Sequence, residues 1–212
     1  MVFVARLRIE GRRLFSVPLL GLLLASCQGE APQVGVEEGG VVSHIGDPAA
    51  SELLRTLVGH LNNAMEEGGP ANAIEFCSAE AIPITETVQA SLEEGLVLKR
   101  TSFRYRNPRN APDEAEEAAL RYFEEVIGAG DSSPSGYVQK VSEEEFRYYK
   151  PLFLGEVCLQ CHGDREAMDP QLQDILLQKY PGDLAMGYAA GDFRGVVRVT
   201  VPASKVAAGA QG

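Results

Sequence analysis

The sequence predicts an α+β domain, with helices at the N-terminal side of a small, mainly antiparallel sheet. Three observations lead there. Apolar residues recur at helical spacing between residues 53 and 65, the later apolar runs are short and bounded by Gly, Pro and Asn, and the last of them, Phe193 to Val201, alternates with period two. The regular strand and helix alternation of a doubly wound parallel sheet is missing, and so is any internal repeat. The 212 residues are 45% hydrophobic and 23% charged, enough for one buried core and too polar for a polytopic membrane protein. The 19 Lys and Arg stand against 30 Asp and Glu, a formal charge of −11, so the chain repels phosphate backbones and is not expected to bind nucleic acid.

In chain order, Arg6, Arg8, Arg12 and Arg13 precede the apolar run Leu14 to Ala25, and residues 1–26 read as an export signal. Its ending, Leu24-Ala25-Ser26-Cys27, resembles the lipobox of bacterial lipoproteins, which makes Cys27 the expected lipid attachment and a membrane, on its periplasmic side, the expected location. Residues 27–46 carry Gly, Pro and Glu without a helical period and read as a flexible tether, with His44 solvated in it. Asp47-Pro48 supplies a capping oxygen and a first-turn proline, so the folded domain is expected over 47–205.

Leu53, Leu57, Leu61 and Met65 mark a first helix that Gly68-Gly69-Pro70 stops. A short second helix over 71–81 puts Ala73, Ile74, Cys77 and Ala81 on one inward face, and a third is expected over 84–93. A strand over 96–103 follows, then a shaped loop, since Pro108 and Pro112 exclude regular structure between Arg106 and Asp113. Residues 114–127 form a helix, 137–141 and 146–154 strands, 172–180 a helix and 193–201 the last strand, leaving 206–212 as a disordered tail.

Cys158-Leu159-Gln160-Cys161-His162 matches the attachment signature of c-type haem, in which two thiols bond the vinyl groups and the histidine ligates iron. The same spacing serves a redox disulfide or half of a zinc site, but no second Cys pair completes the zinc set and the βαβ context of a thioredoxin-like site is missing. Export agrees with haem, so one covalent haem c is the expected cofactor. Cys77 is then left without an intramolecular disulfide partner, and as an inward thiol it is a candidate for the sixth iron position. Met186, His60 and an open site are the alternatives, and inert packing is the plain one. The basic stretch Lys99 to Arg109 offers Arg100 and Arg106, with Asn107 as a further donor, to the haem propionates, against ordinary pairing with surface carboxylates. Tyr148, Tyr149, Phe153 and Tyr188 are candidate pocket walls.

Several stretches occur together: Ala73 to Cys77, Arg100-Thr101-Ser102, Arg106 to Pro112, Cys158 to Gly163, Tyr180 to Asp183, Met186-Gly187-Tyr188 and Gly191 to Gly195. On these the chain, over about residues 48–202, resembles the PAS-like c-type haem domain family, found as single-domain bacterial cytochromes and as the periplasmic sensory part of some histidine kinases. The resemblance implies a PAS-like sheet holding the haem and a Cys/His axial pair, which maps onto Cys77 and His162. No transmitter domain accompanies it, so signalling is expected to need another protein. The expected function is an exported mono-haem cytochrome acting as a redox or small-gas sensor, with Cys77 released on reduction to admit CO or NO. An electron-transfer cytochrome is the alternative. Catalysis is not expected, since neither His44 nor His60 offers a distal acid or base, which leaves a thiol oxidoreductase using Cys158 and Cys161 as the remaining enzymatic reading.

Overall fold

The helical pattern begins well before the Asp47-Pro48 cap. In a computed structural model that describes residues 33–209, helix α1 covers Val36–Ser91, 56 residues. The export segment 1–26, Cys27 and residues 210–212 lie outside the described residues. Val41, Val42, Ile45, Ala49, Ala50 and Leu53 form one stripe on the core, and Val42 is 0% exposed. This corrects the expected tether over 27–46: from residue 36 onward it is packed helix. Gly39 and Gly40 lower the local helix propensity and mask the stripe in the sequence, and tertiary burial overrides them. Asp47 is no cap either; its Oδ1 accepts from Tyr148 Oη and Lys150 Nζ, both at 2.6 Å.

The three expected helices are one stretch broken once. Gly68 (φ −157°, ψ 17°) and Gly69 (φ 69°, ψ −164°) leave the helical region and divide α1 into legs of residues 36–67 and 70–91. Gly69 sits at a φ that a side chain disfavours. Pro70 opens the second leg, where its missing N–H costs nothing, and Asn72 Nδ2 donates to the Ala64 carbonyl at 2.8 Å across the break. Pro83 forgoes one backbone bond without ending the second leg, which merges the expected helices over 71–81 and 84–93.

Strands β1 (Val97–Thr101), β2 (Tyr137–Lys140), β3 (Glu145–Phe153) and β4 (Phe193–Pro202) make one antiparallel sheet in the order β1-β4-β3-β2. Helix α2 (Glu114–Gly128) starts on a capping box, Asp113 Oδ1 accepting from Glu116 N and Glu116 Oε2 from Asp113 N. Short α3 (Leu159–His162) and α4 (Pro170–Lys179) lie between β3 and β4 in sequence, and α5 (Ala203–Gly209) follows β4. Val206 of α5 is buried, which corrects the expected disordered tail from 206.

Period two along the strands sorts the side chains. Leu98, Tyr148, Val197, Val199 and Val201 face α1, whereas Tyr149 and Val196 face α2 with Ala119, Leu120 and Phe123. The α2 face also buries charge: Glu116 is 0% exposed, with Lys99 Nζ at 2.6 Å and Arg198 Nε at 3.2 Å. The architecture is α+β with helices on a four-stranded antiparallel sheet.

Candidate functional site

A cleft of about 260 Å3 opens where the two legs of α1, the β1–β4 edge and the Cys-x-x-Cys-His segment meet. Leu57, Leu61 and Met65 from the first leg and Ala73, Cys77 and Ala81 from the second line it, each set four residues apart and therefore on one helix face. Cys158, Cys161 and His162 line it from a 3-10 turn (Glu156–Cys158) that runs into α3. Helical geometry turns thiols three residues apart to the same side. Cys161 packs on Ile74, Met168 and Leu172, and Cys158 on Leu154, Ala185 and Tyr188.

Burial governs the ionisation of these groups. It pushes the His162 imidazole down to about 3, with Arg106 and Arg194 adding to the shift and the Ala185 carbonyl opposing it. Burial also pushes the Cys77 thiol up, while Arg100 and Arg106 pull it back, and it raises Cys161. His162 Nδ1 donates to the Ala185 carbonyl at 2.7 Å, which fixes one tautomer and leaves the Nε2 lone pair free to bind a metal.

That carbonyl is itself held. Arg106 Nε donates to Asp183 Oδ2 at 2.9 Å, Arg106 Nη2 donates to the Cys161 carbonyl at 2.5 Å, and Asp183 Oδ1 accepts from Ala185 N at 2.8 Å. Arg106, expected to meet a ligand carboxylate, thus already pairs with a buried internal one. Asn107 lines the cleft, but its Oδ1 caps the turn Pro108–Asn110 by accepting from Arg109 N. Of the rest of the basic stretch, Lys99 pairs with Glu116 and Arg109 with Glu86, whereas Arg100 faces the cleft and makes only a 3.4 Å bond to the Ala81 carbonyl.

The structure therefore brings Cys77, Arg100, Arg106, Asn107, Cys158, Cys161 and His162 to one cleft. Two sequence candidates stand apart. His60 is exposed and stacks on Phe76 at 5.8 Å, and the Met186 sulfur accepts from Arg106 at 3.4 Å beside the Ile74 cluster; neither lines the cleft. Tyr148, Tyr149, Phe153 and Tyr188 do not line it either, and Tyr180 does. Met65 and Arg194 line it as well and were not expected. Met65 was legible as part of the first helical stripe. Arg194 was not, because strict alternation along β4 assigns it to the α2 face.

Among the described residues no three His, Cys, Asp or Glu side chains converge closely enough to hold a bare metal ion. The donors instead reach the cleft from two separate elements, His162 and two thiols from the turn running into α3 and Cys77 from the second leg of α1. Such a set suits a metal that arrives with equatorial ligands of its own.

The crystal structure of the cyanobacterial haem protein Tll0287 superposes on this chain with a TM-score of 0.55, at 25% identity, over 73% of this chain and 91% of that one. No curated protein matches the chain in sequence. The model of the Tll0287-like family matches residues 38–202, from the first leg of α1 to the end of β4, and the chain belongs to the Tll0287-like family.

Proposed function

We propose that this protein is an exported mono-haem c-type cytochrome with a PAS-like arrangement of sheet and helices, serving as a redox or small-gas sensor module. The single observation that carries the reading is the convergence of Cys158, Cys161 and His162 on a cleft that Cys77 also lines. The residues fit the group: two thiols three residues apart for its vinyl carbons, a neutral imidazole with a free Nε2, and a further soft sulfur, Cys77, in the same cleft. Bound haem supplies a one-electron couple and a position for a diatomic gas.

Each side chain then has a task. Cys158 and Cys161 would hold the cofactor, each S–H adding across one vinyl double bond to give a thioether link that would keep it from being lost outside the cell. His162, oriented by the Ala185 carbonyl, would present its Nε2 to the iron. Cys77 would offer the iron a thiolate, whose charge would favour the oxidised state and lower the potential relative to a thioether, and a weaker hold on reduced iron would leave room for CO or NO. Attachment by lipid at Cys27 belongs to the same reading, and no helix among the described residues is long and apolar enough to cross a membrane. A second reading, electron transfer, is favoured by one feature: Val58 and Val157, each 50% exposed, form an apolar rim of the cleft open to a redox partner.

The test is the absorption spectrum of the protein produced with cytochrome maturation factors, oxidised, reduced and as the pyridine haemochrome, alongside Cys77→Ala. A c-type haemochrome with an oxidised spectrum altered by the substitution is expected, together with CO binding to the reduced protein. A six-coordinate reduced spectrum indifferent to CO favours electron transfer, and absence of haem after maturation overturns the proposal.

A further inference from the structure

The cleft holds more positive charge than its own residues neutralise. Arg100, Arg106 and Arg194 all line it, yet among the described residues they share a single ion pair, Arg106 with Asp183. Arg194 Nη1 donates to the Arg104 carbonyl at 2.9 Å and its guanidinium lies 5.5 Å from the centre of the Tyr188 ring, neither an anionic partner. Among the described residues Arg100 makes one side-chain hydrogen bond, the long one to the Ala81 carbonyl. Arg100 feels the charge of Arg194, and neither of these partly buried guanidinia forms an ion pair among the described residues, which is costly unless a ligand brings further negative charge.

The backbone shows how Arg194 comes to be there. The ladder between β3 and β4 pairs Leu152 with Gly195 and then Phe153 with Phe193, so Arg194 is the extra residue of a bulge. A bulge breaks the alternation and re-aims the side chain it carries. Gly195 makes the bulge possible, for its φ is 140° and a Cβ there would collide with the Thr101 carbonyl and Ser102. Arg100, opposite Val197 on β1, lines the cleft from the neighbouring strand, near enough to Arg194 for that charge to act on it.

We propose that Arg100 and Arg194, rather than Arg106, form a carboxylate-binding subsite in the cleft, each guanidinium taking one carboxylate of a ligand that carries two. Resting on the haem reading above, the subsite takes the two propionates. Two uncompensated cations match two carboxylates in number, and planar guanidinium forks match them in shape. Arg106 keeps its internal role.

The experiment compares the unaltered protein with Arg100→Gln, Arg194→Gln, the double variant, and Arg104→Gln, whose guanidinium lies over Tyr188 outside the cleft. Thermal melting is measured with and without haem, and propionate protonation is followed by resonance Raman or infrared bands against pH. Opposite signs are expected for the double variant: a higher melting temperature without haem, where repulsion is relieved, and a lower one with haem. Protonation of the propionates should move up by about 1–3 pH units as their guanidinia are lost. Arg104→Gln, which loses its contact with Tyr188, should lower the melting temperature alike with and without haem and leave the propionate bands in place. If the unaltered protein takes up haem but the double variant matches it in both measurements, the subsite is overturned while the haem reading stands. A changed sulfur-to-iron band with unchanged propionate bands overturns it too, assigning Arg100 to the Cys77 thiolate. Failure of the unaltered protein to take up haem overturns both proposals.

Discussion

Arg106 joins three separate pieces of chain: its own loop, the Cys161 carbonyl of the α3 turn and Asp183 before β4. Through Asp183 and the Ala185 amide it sets the carbonyl that receives the His162 proton, so it is a positioning residue. Its side chain is 13% exposed and that of Asp183 2%, so Asp183→Asn leaves a buried cation without its partner. The expected cost is about 3–5 kcal/mol in urea unfolding of the protein, and Arg106→Lys, which keeps the charge and loses the fork, should fall between the two. Sequence could show that the basic stretch was unusual. It could not show which arginine meets an internal carboxylate, because Asp183 is 77 residues away. Nor could it show Arg194, whose aim depends on a one-residue bulge.

Among the elements, α1 departs most from its sequence reading, and two glycines in it make the reason measurable. At Gly46 a Cβ would overlap the Tyr148 ring, so Gly46→Ala should lower stability by about 1–3 kcal/mol. At Gly40 nothing lies within 4 Å, so Gly40→Ala should raise it by about 0.5–1 kcal/mol through helix propensity alone. Urea unfolding of both variants checks the pair, and equal effects would contradict the packing described. Residues such as Gly46 serve close approach, and a propensity argument reads them as breakers. Strands and α2 were legible because period two and period 3.6 are local signals. Continuity across Pro48 and Pro83 was not, since it comes from contact with the sheet. The Cys158, Cys161 and His162 grouping was legible for the opposite reason: its spacing is the chemistry. That Cys77 shares their cleft follows from the fold back at Gly68 and Gly69, of which the sequence showed only a break.

Taken whole, the molecule fastens its helical layer to its sheet through Asp47, which receives Tyr148 and Lys150 of β3. The Lys150 hydrogen bond first, and that of Tyr148 second, hold the Asp47 carboxyl below the usual carboxylate value. On acidification the unfolded chain therefore takes up this proton before the folded one. The contribution of Asp47 is complete above about pH 5 and fades as pH falls through its folded value. Asp47→Asn should lower stability at neutral pH and flatten the acid limb of a stability curve measured by urea unfolding from pH 3 to 7. An acid limb of unchanged steepness would assign that sensitivity to other carboxylates.

The early start of α1 has a consequence for where such a protein can meet others. Eight residues lie between Cys27 and Val36, which puts the two at most about 32 Å apart in a fully extended chain. If Cys27 is the lipid site, the packed domain moves on a leash shorter than its own first helix. Its encounters are then confined to a thin layer above the bilayer, where partners held in the same membrane meet it at high effective concentration and freely diffusing ones gain nothing.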